Sequence, residues 1–441
     1  MKKTKLVMLL TLPLLLTGCV ETIPTKGDVV ADIPSFLSEE SKAYHITFNY
    51  DDQYFANSFA YSHDLQLLSY GASMATTTPS SVKNFYMALS FDNITTHLPT
   101  PTEDTIGYAF AHKAMSDANL IAVSIRGLDY GMEWINNFTL GKEGNHQGFE
   151  LRANEIYEEL VPYMYQYRAK PVKLWLTGYS RAGGVANVLA SKIMQNSSAL
   201  KIKQQNFFTY TFEAPTGLTI ENAVKYDNVY NIVNAADLVA MIPPQEYGLY
   251  RCGKDIIYSD LSEVDAKLAA LDPSLSLPTF TSDLVQGVTN EVEFANHVVS
   301  YLMEDTLDEN TNLSTREDFV KNYQDHICFF MKLYFTAPEG TIPLLIERLK
   351  EKSMWEILSL LSVEDGVYNF VKPILDEKEV VYEDDALHQG CAALTKLIGS
   401  KIVLVGFAFA SEEYMNNLMR CVDMHAMEMV YVIMKQKESN Q

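Results

Sequence analysis

Cysteine is scarce in this chain: five in 441 residues, none in a C-x-x-C pair. Cys252, Cys328, Cys391 and Cys421 are scattered, a density at which no disulfide framework is expected, though a single bridge would fit. There is no H-E-x-x-H and no cluster with metal-ligand spacing, so the expected chemistry uses neither metal nor cofactor. Basic clusters are missing too. Lys and Arg number 34 against 56 Asp and Glu, a formal net charge of -22, which excludes a nucleic-acid partner, because such binding rests on cations neutralising phosphates. No low-complexity segment and no fixed-period repeat appears. What is present is a core-forming composition, 47% hydrophobic and 11% aromatic, long enough for one large domain with an insertion or for two domains.

The first residues read as a targeting segment. Lys2, Lys3 and Lys5 precede "LVMLLTLPLLL", an apolar run too short to span a membrane as a mature helix, which predicts a signal peptide over 1–18. It ends in "LTGC", which resembles a bacterial lipobox. The resemblance implies lipidation of Cys19, a palmitate-bearing mature N-terminus, and an outward-facing lipoprotein anchored in a bacterial cell envelope. The polar, acidic stretch that follows, with two prolines, predicts a tether over 19–40.

Past the tether the chain divides in style. Apolar residues at helical spacing over 54–75 predict an early helix, and "NLIAVSIRG", 119–127, predicts a buried strand closed by Gly127. A helix over 148–168, a strand over 173–178, a small-residue helix over 181–195, and strands over 207–214 and 229–234 follow. Strands alternating with helices predict an α/β fold with a mostly parallel, doubly covered sheet over a core of 41–260. From 261 to 400 the reading is helical: 259–271, 288–305, 314–336, 341–362 and 386–399, with a capping box from Ser314 to Glu317. This segment is expected to be an insertion that caps the site, and 401–441 to return the chain to the core.

Between a strand and a helix lies "LTGYSRAGG", 176–184. A serine hydroxyl becomes a nucleophile only when exposed and paired with a base. A sharp strand-to-helix turn exposes it if its neighbours are small. Gly178, Ala182, Gly183 and Gly184 supply that, as G-x-S-x-A rather than the usual G-x-S-x-G, and make Ser180 the candidate nucleophile. Asp237 follows the strand 229–234, at the sheet end where α/β folds carry their sites. The nearest preceding carboxylate, Asp227, falls at the opposite end.

The stretches "IRGLDYGMEWINNFTLG", "HQGFE", "LTGYSRAGGVANVLA" and "IVNAADLVAMIPPQEYGLYRCGKD", in order over roughly 40–260, resemble the class 3 lipase group of α/β-hydrolases, particularly bacterial members with a helical insertion. The resemblance implies an α/β-hydrolase fold, Asp237 as triad acid, and His146 of "HQGF" as a neighbour of the site rather than the base. His425, in "DMHAMEMVYVIM", is similar to the H-x-x-E segment of insertion-bearing members and is the favoured base, with Tyr431 one place further on than their pattern. His297 in "FANHVVSYL" is the alternative base. His326 and His388 fall in predicted helices and carry little weight. The elbow's mechanics make the Arg181 N–H one oxyanion donor, and the Leu128 N–H of the "RGL" turn is the second. Class 3 lipases often carry Ser or Thr where Leu128 stands. The missing hydroxyl should cost less than the about 3–4 kcal/mol of a lost donor, because the backbone N–H remains. The Arg126 and Arg181 side chains are expected to be structural ion-pair partners.

The leading expectation is therefore a lipase- or esterase-like serine hydrolase acting on an ester or lipid. A non-catalytic lipoprotein on a hydrolase scaffold and an acyltransferase using the same triad remain the alternatives.

Overall fold

The structure, a computed structural model, describes residues 23–277 apart from 39–42, 103–104, 130–139, 141–143, 238 and 244–246, together with most of 325–399 and with 420–436. The signal segment, Cys19, His297, the Ser314–Glu317 box and the 401–410 run lie outside the described residues.

The chain opens with β1 (Lys26–Pro34) and β2 (Ala43–Asp51), antiparallel from Lys26↔Asp51 to Pro34↔Ala43. This corrects the tether predicted over 19–40. Within "KGDVVADIP", Val29, Ala31 and Ile33 alternate inward and are buried, and that two-residue period outweighs the polar, acidic composition of the outward positions. The ribbon packs on α1 (His63–Ala75) and α2 (Pro79–Ala88). The single helix expected over 54–75 is broken, because the Ser62 hydroxyl accepts from the Leu65 N–H at 3.1 Å and starts α1 there.

The main sheet gathers β3 (Asp92–His97), β4 (Tyr108–Ala114), β5 (Asn119–Ile125), β6 (Val172–Tyr179) and β7 (Phe207–Phe212). After the two-residue β8 (Leu218–Thr219) come β9 (Val229–Asn234), the two-residue β10 (Leu249–Tyr250) that pairs with β8, and β11 (Lys254–Tyr258). The order across the sheet is β11-β9-β7-β6-β5-β4-β3. From β11 to β5 the strands are parallel, and β4 and β3 continue antiparallel. This is the mostly parallel α/β sheet expected from the sequence, with β3, β4 and β11 added to the strands read there.

Strands covered on both faces are apolar throughout, and β5, β6, β7 and β9 are buried at every position. Alternate side chains of β6 serve two cores. Leu174 and Leu176 pack with α3 (Gln147–Tyr165) and α4 (Arg181–Gln195), while Trp175 and Tyr179 face the ribbon, α1 and the C-terminal helix. The described helices after the sheet are α5 (Val264–Leu271), α6 (Thr341–Lys350), α7 (Gly366–Glu377), α8 (Asp384–Gly399) and α9 (Met427–Lys435). None of the described helices is long and apolar enough to cross a membrane.

Candidate active site

β6 ends at Tyr179 and α4 begins at Arg181, so Ser180 takes the whole reversal, with φ 58 and ψ −132. A side chain at positive φ costs on the order of 1–3 kcal/mol and persists only where the surroundings impose it. Here the Ser180 N–H donates to the Phe212 carbonyl at 2.8 Å, and the Ser180 carbonyl accepts from Gly184 N–H at 3.1 Å. The flanking glycines are required by contact. A Cβ on Gly178 would lie 2.4 Å from the Ala182 carbonyl oxygen. A Cβ on Gly127 would lie 2.2 Å from the Tyr179 carbonyl oxygen and 3.3 Å from the Ala182 Cβ. The "RGL" turn therefore runs in backbone contact with the elbow, and the methyl of Ala182 sits beside a residue that has none. That explains why alanine is accepted where the motif usually has glycine.

Ser180 is buried but not sealed, at 5% exposure, and its Oγ is 2.7 Å from Nε2 of His425. The other ring nitrogen, Nδ1, is 2.6 Å from Oδ2 of Asp237. A carboxylate only accepts, so Nδ1 carries the hydrogen and Nε2 is left to accept from the serine hydroxyl. Asp237 is fully buried, and its Oδ1 accepts from the Val239 N–H at 2.9 Å. His297, the alternative base, is outside the described residues. His388 pairs with Asp365 at 2.8 Å, and Asp227, at the far end of β9, pairs with Lys254 at 2.6 Å. His326 is partly buried in a described helical turn.

The His425 segment is held by its main chain. Asn234 Nδ2 donates to the Met424 carbonyl at 2.8 Å, the Tyr179 hydroxyl donates to the His425 carbonyl, and the Tyr70 hydroxyl donates to the Met427 carbonyl at 2.5 Å. The imidazole lies over the Tyr179 ring at 5.2 Å between centroids. The glutamate of H-x-x-E points away from Ser180. Buried Glu428 accepts through Oε1 from the Phe36 and Leu37 N–H groups at 2.6 and 2.7 Å, joining α9 to the end of β1.

Other residues singled out in the sequence have supporting places. His146 is buried at the N-cap of α3, accepts from the Phe149 N–H at 3.3 Å, and stacks on the Phe149 ring, which fills the space beside Gly184. Arg126 donates to the Pro99 carbonyl at 2.9 Å and Arg181 to the Thr105 carbonyl at 3.4 Å, so both side chains bind main-chain oxygens of the 99–107 loop. Cys252 and Cys391 are free thiols.

One residue escaped sequence reading. Glu213, in "TFEAP" after β7, is 1% exposed at φ 48 and stands next to the acid. Its Oε1 and Oε2 accept from the Asn234 N–H at 2.9 and 3.1 Å, and its side chain hydrogen-bonds Asp237. Burial first, then the charge of Asp237, push this carboxyl well above the usual range. A lone acid closing an otherwise apolar strand was the signal available for it.

The class 3 lipase family matches residues 122–247, under a third of the chain. No curated protein is similar enough to be matched. Among solved structures, a triacylglycerol lipase whose catalytic centre is formed by a serine protease triad is 21% identical with a TM-score of 0.36, over 46% of this chain and 83% of its own. A Rhizomucor miehei lipase in complex with its propeptide is 18% identical with a TM-score of 0.34, over 46% and 71%. The lipase from Rhizopus microsporus var. chinensis is 19% identical with a TM-score of 0.33, over 46% and 77%. The stretch similar to the class 3 lipase family is the one that holds the Gly127 turn, the Ser180 elbow and Asp237.

Proposed function

We propose that this protein hydrolyses carboxylic esters through an acyl-enzyme on Ser180. The observation that carries the reading is the unbroken relay from Ser180 Oγ to His425 Nε2, 2.7 Å, and from His425 Nδ1 to Asp237 Oδ2, 2.6 Å. As Oγ attacks the ester carbonyl carbon, Nε2 takes its proton, and Asp237 stabilises the imidazolium while holding the ring's tautomer. The negative oxygen is met by the N–H groups of Arg181, at the start of a 15-residue helix, and of Leu128, beside Gly127. The imidazolium then protonates the departing alcohol oxygen. Water, deprotonated by the same nitrogen, attacks the acyl carbon, and the acid leaves as Ser180 recovers its proton.

Ser180→Ala is expected to abolish hydrolysis of p-nitrophenyl butyrate and labelling by a fluorophosphonate, and Asp237→Asn to lower kcat by about 10³–10⁴-fold. Undiminished hydrolysis by Ser180→Ala would remove the reading.

Residues 261–400 act as a cap that lines the acyl pocket. In support, Phe335 packs with Leu140 and Leu249, against Ile242 and Tyr247 of the loop that follows Asp237. The "LTGC" stretch supports lipidation at Cys19, which places the enzyme on a bacterial membrane, facing outward, near lipid or envelope esters. Mass spectrometry of the mature protein from a bacterial membrane fraction tests this; an unmodified Cys19, or cleavage elsewhere, removes the anchor.

A further inference from the structure

Glu213 has no part in the reaction as written, yet it is buried beside the acid. Two carboxyls that touch, both shut from water, do not both ionise, since like charges in a low dielectric repel with nothing to screen them. The surroundings decide which keeps the proton. Asp237 accepts from two separate N–H donors, one on each oxygen: His425 Nδ1 on Oδ2 and Val239 N on Oδ1. Glu213 has one backbone N–H, that of Asn234, shared between its oxygens. The nearest guanidinium, Arg251, is engaged elsewhere: it donates to the Ala214 and Ala240 carbonyls at 2.9 and 2.6 Å and pairs with Asp255 at 2.7 Å. Its charge and the Asn234 N–H draw Glu213 toward ionisation, but burial, the charge of Asp237 and the hydrogen bond to it outweigh them. The other titratable group facing Glu213 is the buried Tyr70 hydroxyl, itself held protonated mainly by burial.

We infer that Glu213 is a positioning residue: as a neutral acid it donates its O–H to Asp237 and so fixes the carboxylate that aims His425 at Ser180. Asn234 extends the brace. Its N–H is accepted by Glu213 while its side chain holds the Met424 carbonyl, so one unit ties the end of β7 to the acid loop and to the His425 segment. The kinetic half of this inference rests on the hydrolase reading above; the location of the proton does not.

The test follows the His425 imidazole by NMR titration in the wild type, Glu213→Gln and Glu213→Ala, beside kcat and KM on a short p-nitrophenyl ester. Glutamine keeps a neutral donor and an acceptor, so the imidazole midpoint should stay in place and kcat remain within about threefold. Alanine removes the donor and leaves Asp237 less stabilised. Its imidazole midpoint should rise, and kcat should fall about ten- to a hundredfold, the worth of one charge-assisted hydrogen bond, at unchanged KM. A midpoint that drops by about one pH unit in Glu213→Gln would mean that a negative charge had been removed, and overturns the proton assignment. Wild-type kcat and midpoint in Glu213→Ala overturn the positioning role. Should Glu213→Ala not fold, the glutamine midpoint decides alone. A wild type that neither labels with fluorophosphonate nor turns over would end the hydrolase reading, while the midpoints still report on the proton.

Discussion

Ser180 and Glu213 are both side-chain residues at positive φ, 58 and 48, on neighbouring strand ends. Each accepts a backbone cost for where it points its polar atoms. The two differ in what pH does to them. The native state keeps the Glu213 proton well above the usual carboxyl range, while the unfolded chain releases it in that range. Between the two values the native state binds more protons than the unfolded one, so this group makes stability fall as pH rises. Glu213→Gln does not titrate. The melting temperature of the variant minus that of the wild type should therefore be larger at pH 8 than at pH 5, measured by thermal denaturation of both proteins. An unchanged difference would count against a buried proton.

At the scale of elements, legibility followed the period of the pattern. β5, β6, β7 and β9 are runs of β-branched, aromatic and apolar residues buried on both sides, and composition alone marks them. β1 was hidden because Lys26, Asp28 and Asp32 stand outward among its apolar residues, and its partner β2 lies beyond a further stretch of chain. The elbow could be read from local spacing and Asp237 from its strand. His425 could not: it meets Asp237 across 188 positions of chain, and only resemblance to an H-x-x-E segment pointed to it. Glu213 depends on a φ and on the Asn234 N–H, neither visible in a string of letters. The role of Glu428 is also an element-scale fact. With its carboxylate gone, the Phe36 and Leu37 N–H groups lose their acceptor. Glu428→Ala should cost about 3 kcal/mol in urea denaturation and lower kcat as well, since α9 begins two residues after His425.

For the whole molecule, the sheet separates two cores, and the site stands where its strands end. The helical residues between 329 and 391 have a small core of their own, including Leu333, Leu375 and Leu387. Their described contact with the acid loop runs through Phe335, whose ring meets Tyr247 edge-on at 5.5 Å. If these helices shape the acyl pocket, Phe335→Ala should change the ratio of kcat/KM between long- and short-chain p-nitrophenyl esters by about threefold or more. The extent of fluorophosphonate labelling at Ser180 should stay the same. A ratio that does not move would make the contact purely structural.

The imidazole joins the serine across 245 positions of sequence. Synthesis therefore delivers the attacking group long before the group that can take its proton. A nascent chain, or a fragment clipped anywhere between Phe212 and His425, would hold the serine hydroxyl and the carbonyl that braces its turn, with no imidazole to take the proton.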